Sequence, residues 1–211
     1  MSSPTPSPRA RRSDGERSRA AILHESARLA TVTGIDGLSI GLLADQVGMS
    51  KSGLFAHFGS KEGLQLATMD AAQVVFDEHV LDPAADAATG IERLRRLAEG
   101  YLGYVQADLF PGGCFFASVL TEVSMRPGAV RDRAFAFLHA WLGELETAIR
   151  RAQAEGALDA GEEPAQLAFE IEAALLLANA QFVVARGPEP IQRARRAIDR
   201  LLVLRAQAGS E

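Results

Sequence analysis

The 211-residue chain is poor in the residues that most active sites and metal sites need: one cysteine, one tryptophan, two tyrosines and four histidines. A single thiol, Cys114, excludes an internal disulfide framework and any multi-cysteine metal cluster, and a reducing, cytoplasmic compartment is the expectation. His24, His57, His79 and His139 are widely separated, with no ligand-type spacing to acids or to Cys114, so neither a metal nor a cofactor is expected. No glycine-rich phosphate loop and no nucleophile elbow occurs. Nothing gathers serine, histidine and aspartate into a catalytic set, and an enzyme is not expected. The N-terminus reads Ser/Pro/Arg without an apolar core behind it, so no secretory signal is expected. The most apolar stretch, residues 173–185, is interrupted by Asn179 and Gln181 and preceded by Glu170 and Glu172. It reads as too short and too polar to span a bilayer, so no membrane partner is expected.

Lysine is almost missing too, and where the two lysines fall is informative. The net charge is −5, which by itself argues against a nucleic-acid partner. The total hides a split. Residues 1–65 carry +2 and contain both Lys51 and Lys61, whereas the remainder carries −7. The apolar fraction of 47% supports a well-buried core.

Helical periodicity dominates, and no convincing alternating strand is present. Residues 1–13 are polar, Pro/Ser-rich and basic, which predicts a disordered tail. The first helix is expected over residues 14–33, with Ala20, Leu23, Ala27 and Ala30 inward and Gly34 as its stop. Ser39 is placed to cap a short helix through Ile40, Leu43, Ala44 and Val47, broken by Gly48. Ser50 then caps a second short helix to Phe58, and Ser60 a longer one with Leu64, Ala67, Ala71 and Val74 inward. Five further helices follow. The first has a Thr89/Glu92 capping box, and the others cover residues 115–123, 129–155 and 165–186 and a last segment through Ile191, Ala194, Ile198 and Leu202. The expected fold is all-α with about nine helices: a head over residues 14–62 and a body over 63–211.

The informative run is SIGLLADQVGMSKSGLFAHFGSKEGL, residues 39–64. A short helix, a glycine turn and a second short helix form a helix-turn-helix, whose second helix enters a major groove. Gly48 supplies the positive φ, and Met49 and Leu54 fall where the helices must pack together. The run closely resembles the tetracycline-repressor (TetR) family of bacterial transcription regulators. That family reads roughly Thr-x-x-x-Ile-Ala-x-x-Ala-Gly-Val-Ser-x-Gly-x-Leu-Tyr-x-His/Tyr-Phe-x-Ser-Lys-Glu-x-Leu. Ser39, Leu43-Ala44, Val47-Gly48-Met49-Ser50, Leu54-Phe55, His57-Phe58, Ser60-Lys61-Glu62 and Leu64 stand at the matching positions. Two departures stand out: Phe55 replaces a tyrosine, and Ser52-Gly53 replaces the commoner Gly-Thr order.

The resemblance implies a cytoplasmic, homodimeric, ligand-responsive regulator that binds double-stranded operator DNA. A repressor released by a small-molecule effector is expected, with an activator as the alternative. The DNA-binding candidates are Ser39, Ser50, Lys51, Ser52, Gly53, Phe55, His57 and Lys61, together with the tail arginines Arg9, Arg11 and Arg12. The last two helices are expected to form a dimeric four-helix bundle through Leu175, Ala178, Phe182, Ile198 and Leu202. Tyr101, Tyr104, Cys114, Phe115, His139, Trp141 and Phe182, with Phe116, are the candidates for lining an effector pocket. Cys114 follows Pro111-Gly112-Gly113 at an expected helix start. That position lowers a thiol pKa and raises a second alternative, a sensor of electrophiles.

Overall fold

The computed structural model describes residues 8–123 and 127–207, and among them every regular element is helical. The head consists of α1 (Pro8–Thr33), α2 (Ile40–Val47) and α3 (Lys51–Phe58). α4 (Lys61–Phe76) leaves the head and passes through a π-helical turn, Asp77–Leu81, and a 3-10 turn, Asp82–Ala84. The body continues with α5 (Gly90–Gln106), α6 (Phe115–Val123), α7 (Ala129–Ala154), α8 (Pro164–Ala185) and α9 (Glu189–Gln207). α1 begins at Pro8, so residues 8–13, expected as tail, are helical. Proline suits a first helical turn, where its missing N–H would have no partner anyway. The side chains of Arg9, Arg11 and Arg12 lie outside the described residues.

One continuous core runs from head to body. α1 buries Ile22, Leu23, Ala27 and Ala30, whereas Ala20 is exposed. α4 differs more from the sequence expectation. Leu64 is inward, but Ala67 and Ala71 are half-buried and Val74 is 55% exposed. The buried face is Leu64, Gln65, Thr68, Met69, Ala72 and Phe76. Hydrophobic periodicity missed it because two of its members are polar residues with partners. Thr68 shares a 2.8 Å hydrogen bond with Ser26 of α1, and Gln65 Nε2 donates to Ile35 O at 2.7 Å.

α8 has 22 residues, and an 18-residue window of it reaches a mean hydropathy of 1.6, so length and composition alone would allow a membrane span. It packs instead against α5, α7 and α9. Leu175, Ala178, Phe182, Ile198 and Leu202, the expected dimer seam, are buried within this chain. The outward apolar residues are others: Phe169, Leu176, Leu177 and Val184 on α8, with Val203 and Leu204 on α9.

Candidate nucleic-acid interface and sensor core

Serines start α2, α3 and α4. Ser39 Oγ accepts from Leu42 N at 3.1 Å, Ser50 Oγ from Gly53 N at 3.1 Å and Ser60 Oγ from Gly63 N at 2.9 Å. Each bond satisfies an N–H with no partner inside its helix. Gly48 takes φ 68° and ψ 29°, and Met49 N reaches back to Ala44 O at 3.1 Å. A residue with a Cβ would pay about 1 kcal/mol or more for that left-handed turn. Leu43, Ala44, Leu54 and Phe58 are buried, with Val47 and Met49 packed on them, which fixes α3 across α2.

α3 then exposes what its packing does not need. Lys51, Ser52, Phe55 and His57 are exposed, as are Ser50 and Lys61, while Ser39 and Gly53 are half-buried. The end of the Lys51 side chain lies beside Gly41 in the first turn of α2. Ser52 Oγ is 3.3 Å from Ser50 Oγ. Lys61 donates to Asp36 O in the α1–α2 loop. An ammonium has three N–H donors, so this bond leaves two for a phosphate. Capped helix starts beside an exposed short helix form a surface suited to a phosphate backbone and a major groove.

The joint between head and body is polar and specific. Glu122 of α6 accepts from Ile35 N at 2.7 Å and from Asp36 N at 2.8 Å. Gly34 precedes them with φ 78°, and a Cβ there would fall 2.8 Å from the Glu122 carboxylate. Only glycine meets both demands. Arg28 of α1 donates to Leu109 O at 2.9 Å, and Gly112 N to Thr31 Oγ1 at 3.2 Å. The α1–α2 loop is thus held by Lys61 and Gln65 from α4 and by Glu122 from α6. None of the Glu122 contacts was expected from sequence, because an acid in a helix normally reads as a solvated face.

The body's core is aromatic. Five of the seven residues given to an effector pocket come together: Tyr101, Tyr104, Cys114, Phe115 and Trp141 are all nearly fully buried. Phe76, at the end of α4, sits at their centre. Its ring centroid lies 5.3 Å from Trp141, 5.7 Å from Tyr104, 6.3 Å from Tyr101 and 5.0 Å from Phe137. The neighbouring Phe116 is also buried and stacks on Phe137 at 3.5 Å. His139 does not join them. It is exposed, because two helical residues apart lie nearly opposite and Trp141 faces in. Phe182 is buried elsewhere on α8, where its ring contact is the Arg186 guanidinium, 6.0 Å from the centroid.

Cys114 does sit at a helix start, as expected, but it is 2% exposed, and burial pushes its thiol up to about 11. The favourable backbone N–H groups of Ala117 and Phe116 do not overcome desolvation. That environment argues against an activated thiolate. Burial likewise raises the Tyr101 and Tyr104 phenols well above their ordinary range. Two further polar residues enter this core from α8. Glu172 accepts from Trp141 Nε1 at 2.7 Å, and burial pushes its carboxyl up to about 7. Asn179 Oδ1 accepts from Cys114 N at 2.8 Å and so serves the start of α6. In sequence Asn179 interrupts the apolar run and Glu172 precedes it. Their seven-residue separation, in phase with Leu175, Ala178 and Phe182, is the signal that places them inward.

Two family models match the chain. Residues 22–68 match "Bacterial regulatory proteins, tetR family", and residues 90–198 match "Tetracyclin repressor-like, C-terminal domain". No curated protein sequence matches it. Among solved structures, a TetR transcriptional regulator from Chloroflexus aurantiacus is 24% identical, with a TM-score of 0.77 over 90% of this chain and 94% of that one. AibR in complex with isovaleryl coenzyme A and operator DNA is 26% identical, with a TM-score of 0.70 over 87% and 98%. A TetR-family regulator from Streptomyces coelicolor is 16% identical, with a TM-score of 0.76 over 90% and 97%. With its helix-turn-helix and its helical C-terminal domain both matched, the chain belongs to the TetR family of bacterial transcriptional regulators.

Proposed function

We propose that the protein is a homodimeric repressor in the bacterial cytoplasm that leaves its operator when a small molecule binds the body. The observation that carries this reading is the placement of α4. Its first two turns hold the head through Lys61, Gln65 and Thr68, and its last residue, Phe76, is buried among the body's aromatic rings. A ligand that rearranges those rings moves Phe76, and with it the helix that holds the α1–α2 loop. The two recognition helices then lose their spacing across successive major grooves, which is a shift of population between two dimer states. AibR, which is similar in fold and crystallised with both operator DNA and an acyl-coenzyme A, supports the pairing of these two partners.

The outward apolar residues of α8 and α9 support the dimer. Phe169, Leu177, Val184 and Leu204 are each more than half exposed, and such a patch on two adjacent helices suits a four-helix bundle with a second copy. Dimer-dependent gel shift tests the reading directly. The protein is mixed with DNA from upstream of its own gene across a salt series, and its mass is measured by light scattering. Binding as a dimer, with affinity falling steeply with salt, is expected. Lys51→Ala lowers affinity about tenfold without changing the mass. A monomer, or equal affinity of Lys51→Ala and the parent at low salt, overturns the assignment.

A further inference from the structure

Asn179 caps the start of α6 with only half of its amide. Its Oδ1 accepts from Cys114 N at 2.8 Å, which fixes the oxygen end. Gly113 comes just before that bond, and a Cβ there would strike the same oxygen. Capping needs an acceptor and nothing more. The N–H2 group is left over. It has no hydrogen-bond partner among the described residues, although Asn179 is only 6% exposed. Nor is it sealed in the core, because Asn179 lines a groove of about 550 Å³ between α6 and α8. Folded chains rarely leave a nearly buried donor unused, and one that opens onto a groove is a place for a ligand's acceptor.

The groove's other walls define what that ligand is. α6 contributes Ser118, Leu120 and Thr121, and α8 contributes Leu176 and Val183 beside Asn179. Among the described residues no acid, lysine, arginine, histidine or aromatic ring lines it. Each hydroxyl spends its single hydrogen on the backbone: Thr121 Oγ1 donates to Ser118 O at 2.8 Å, and Ser118 Oγ to the carbonyls of Gly112 and Cys114 at 3.4 Å. The amide therefore supplies the side-chain donors that remain. A carboxylate would enter without meeting a cation, and an ammonium without meeting an anion, and each would lose hydration without return. We propose that this groove binds a neutral lipophilic carbonyl compound, a ketone, ester or amide, whose oxygen accepts from Asn179 Nδ2. The proposal concerns binding alone and does not rest on the chain being a repressor. The other side of α8 carries a separate cleft, with Gln181 and Val184 facing Arg193 of α9, so the groove flanks the face proposed for a second copy. Thr121 precedes Glu122, so the ligand lies along the helix that holds the α1–α2 loop.

The purified full chain is titrated with prodan, a neutral naphthyl ketone whose emission responds to hydrogen bonding at its carbonyl. Phenylnaphthylamine, with similar rings and no carbonyl, and anilinonaphthalene sulfonate, with a negative charge, are the comparisons. Saturable binding of prodan, tighter than that of either comparison, is expected. Asn179→Asp keeps the oxygen that caps α6 and removes the N–H2, and it lowers prodan affinity about tenfold while leaving that of phenylnaphthylamine unchanged. Thr121→Phe, which fills the groove from its exposed edge, weakens both by about tenfold or more. Circular dichroism checks that the variants are folded. Val184→Ala, on the α9 side of the same helix, changes neither affinity. Prodan affinity that both groove variants leave intact, or that Val184→Ala lowers as much as they do, overturns the proposal. Sulfonate binding as tight as that of prodan overturns the neutral class. Affinity that falls as the chain is concentrated also overturns it, because a second copy then occupies the groove.

Discussion

Head and body solve opposite problems with the same secondary structure. In the head, the residues proposed to meet DNA lie within 23 positions of one another, and six of the eight are exposed. They can be polar because water and phosphate compete for them on the surface. In the body, the chemically interesting groups come from α4, α5, α6, α7 and α8 and are buried. There each polar atom needs a partner or pays for lacking one. The difference teaches where to look: the groups proposed for function are local and outward in the head, dispersed and inward in the body.

The largest expected effect breaks the body alone. Trp141→Ala removes a ring packed against Phe76 and Tyr101 and strips Glu172 of its donor, so a loss of about 3–5 kcal/mol is expected. Denaturant melts followed by circular dichroism measure it. A loss under about 1 kcal/mol would mean that the cluster is loosely packed.

Next comes the pH dependence of the same site. Unfolded, Glu172 releases its proton near its ordinary 4.5; folded, near 7. Between those values the folded protein holds a proton that the unfolded chain has released. Its contribution is therefore fully present below about 4.5, declines as pH rises toward 7, and is level above that. The decline amounts to about 3 kcal/mol. Tyr101 and Cys114, its titratable neighbours, are pushed further up and stay neutral in this window. Melting of the parent against Glu172→Gln at pH 4.5, 6 and 7.5 reads the difference, and parallel curves would refute it.

Two smaller effects sharpen the head and the joint. Glu122→Gln replaces one accepting oxygen with an NH₂ that faces a backbone donor, leaving Ile35 N or Asp36 N unpaired at a cost of about 2 kcal/mol. Amide exchange should quicken at those two positions first, and uniform quickening over the chain would deny them a special role. Ser50→Ala removes one cap, about 1 kcal/mol, and exchange should quicken in the first turn of α3 while the body stays protected.

The same contrast explains what was legible in the sequence. Ser39, Ser50, Ser60 and Gly48 act over three or four residues of chain, and the structure has them as their spacing predicts. The inner face of α4 was misread because Gln65 and Thr68 are buried on the strength of partners 30 and 42 residues away. His139 and Trp141 were both assigned inward, although helical phase allows only one of them. The seam on α8 and α9 was misassigned because α8 is apolar on two sides, and periodicity does not tell the side covered by its own chain from the side left open. Glu122 carries no local mark, since what sets it apart is a backbone loop of the head, whereas Glu172 shows only its helical phase with Leu175, Asn179 and Phe182.

The grip of Glu122 on the head is made entirely to main-chain N–H groups. Of the two residues it holds, only Ile35 is buried in the core. Such a connection does not depend on which side chains α3 exposes. α6 is about 13 Å long, anchored by Asn179 and Tyr104 at one end and by this loop at the other. The residues of α3 proposed to meet DNA can therefore change without the linkage having to be rebuilt. A body held in this way is portable between heads that differ in the side chains α3 exposes.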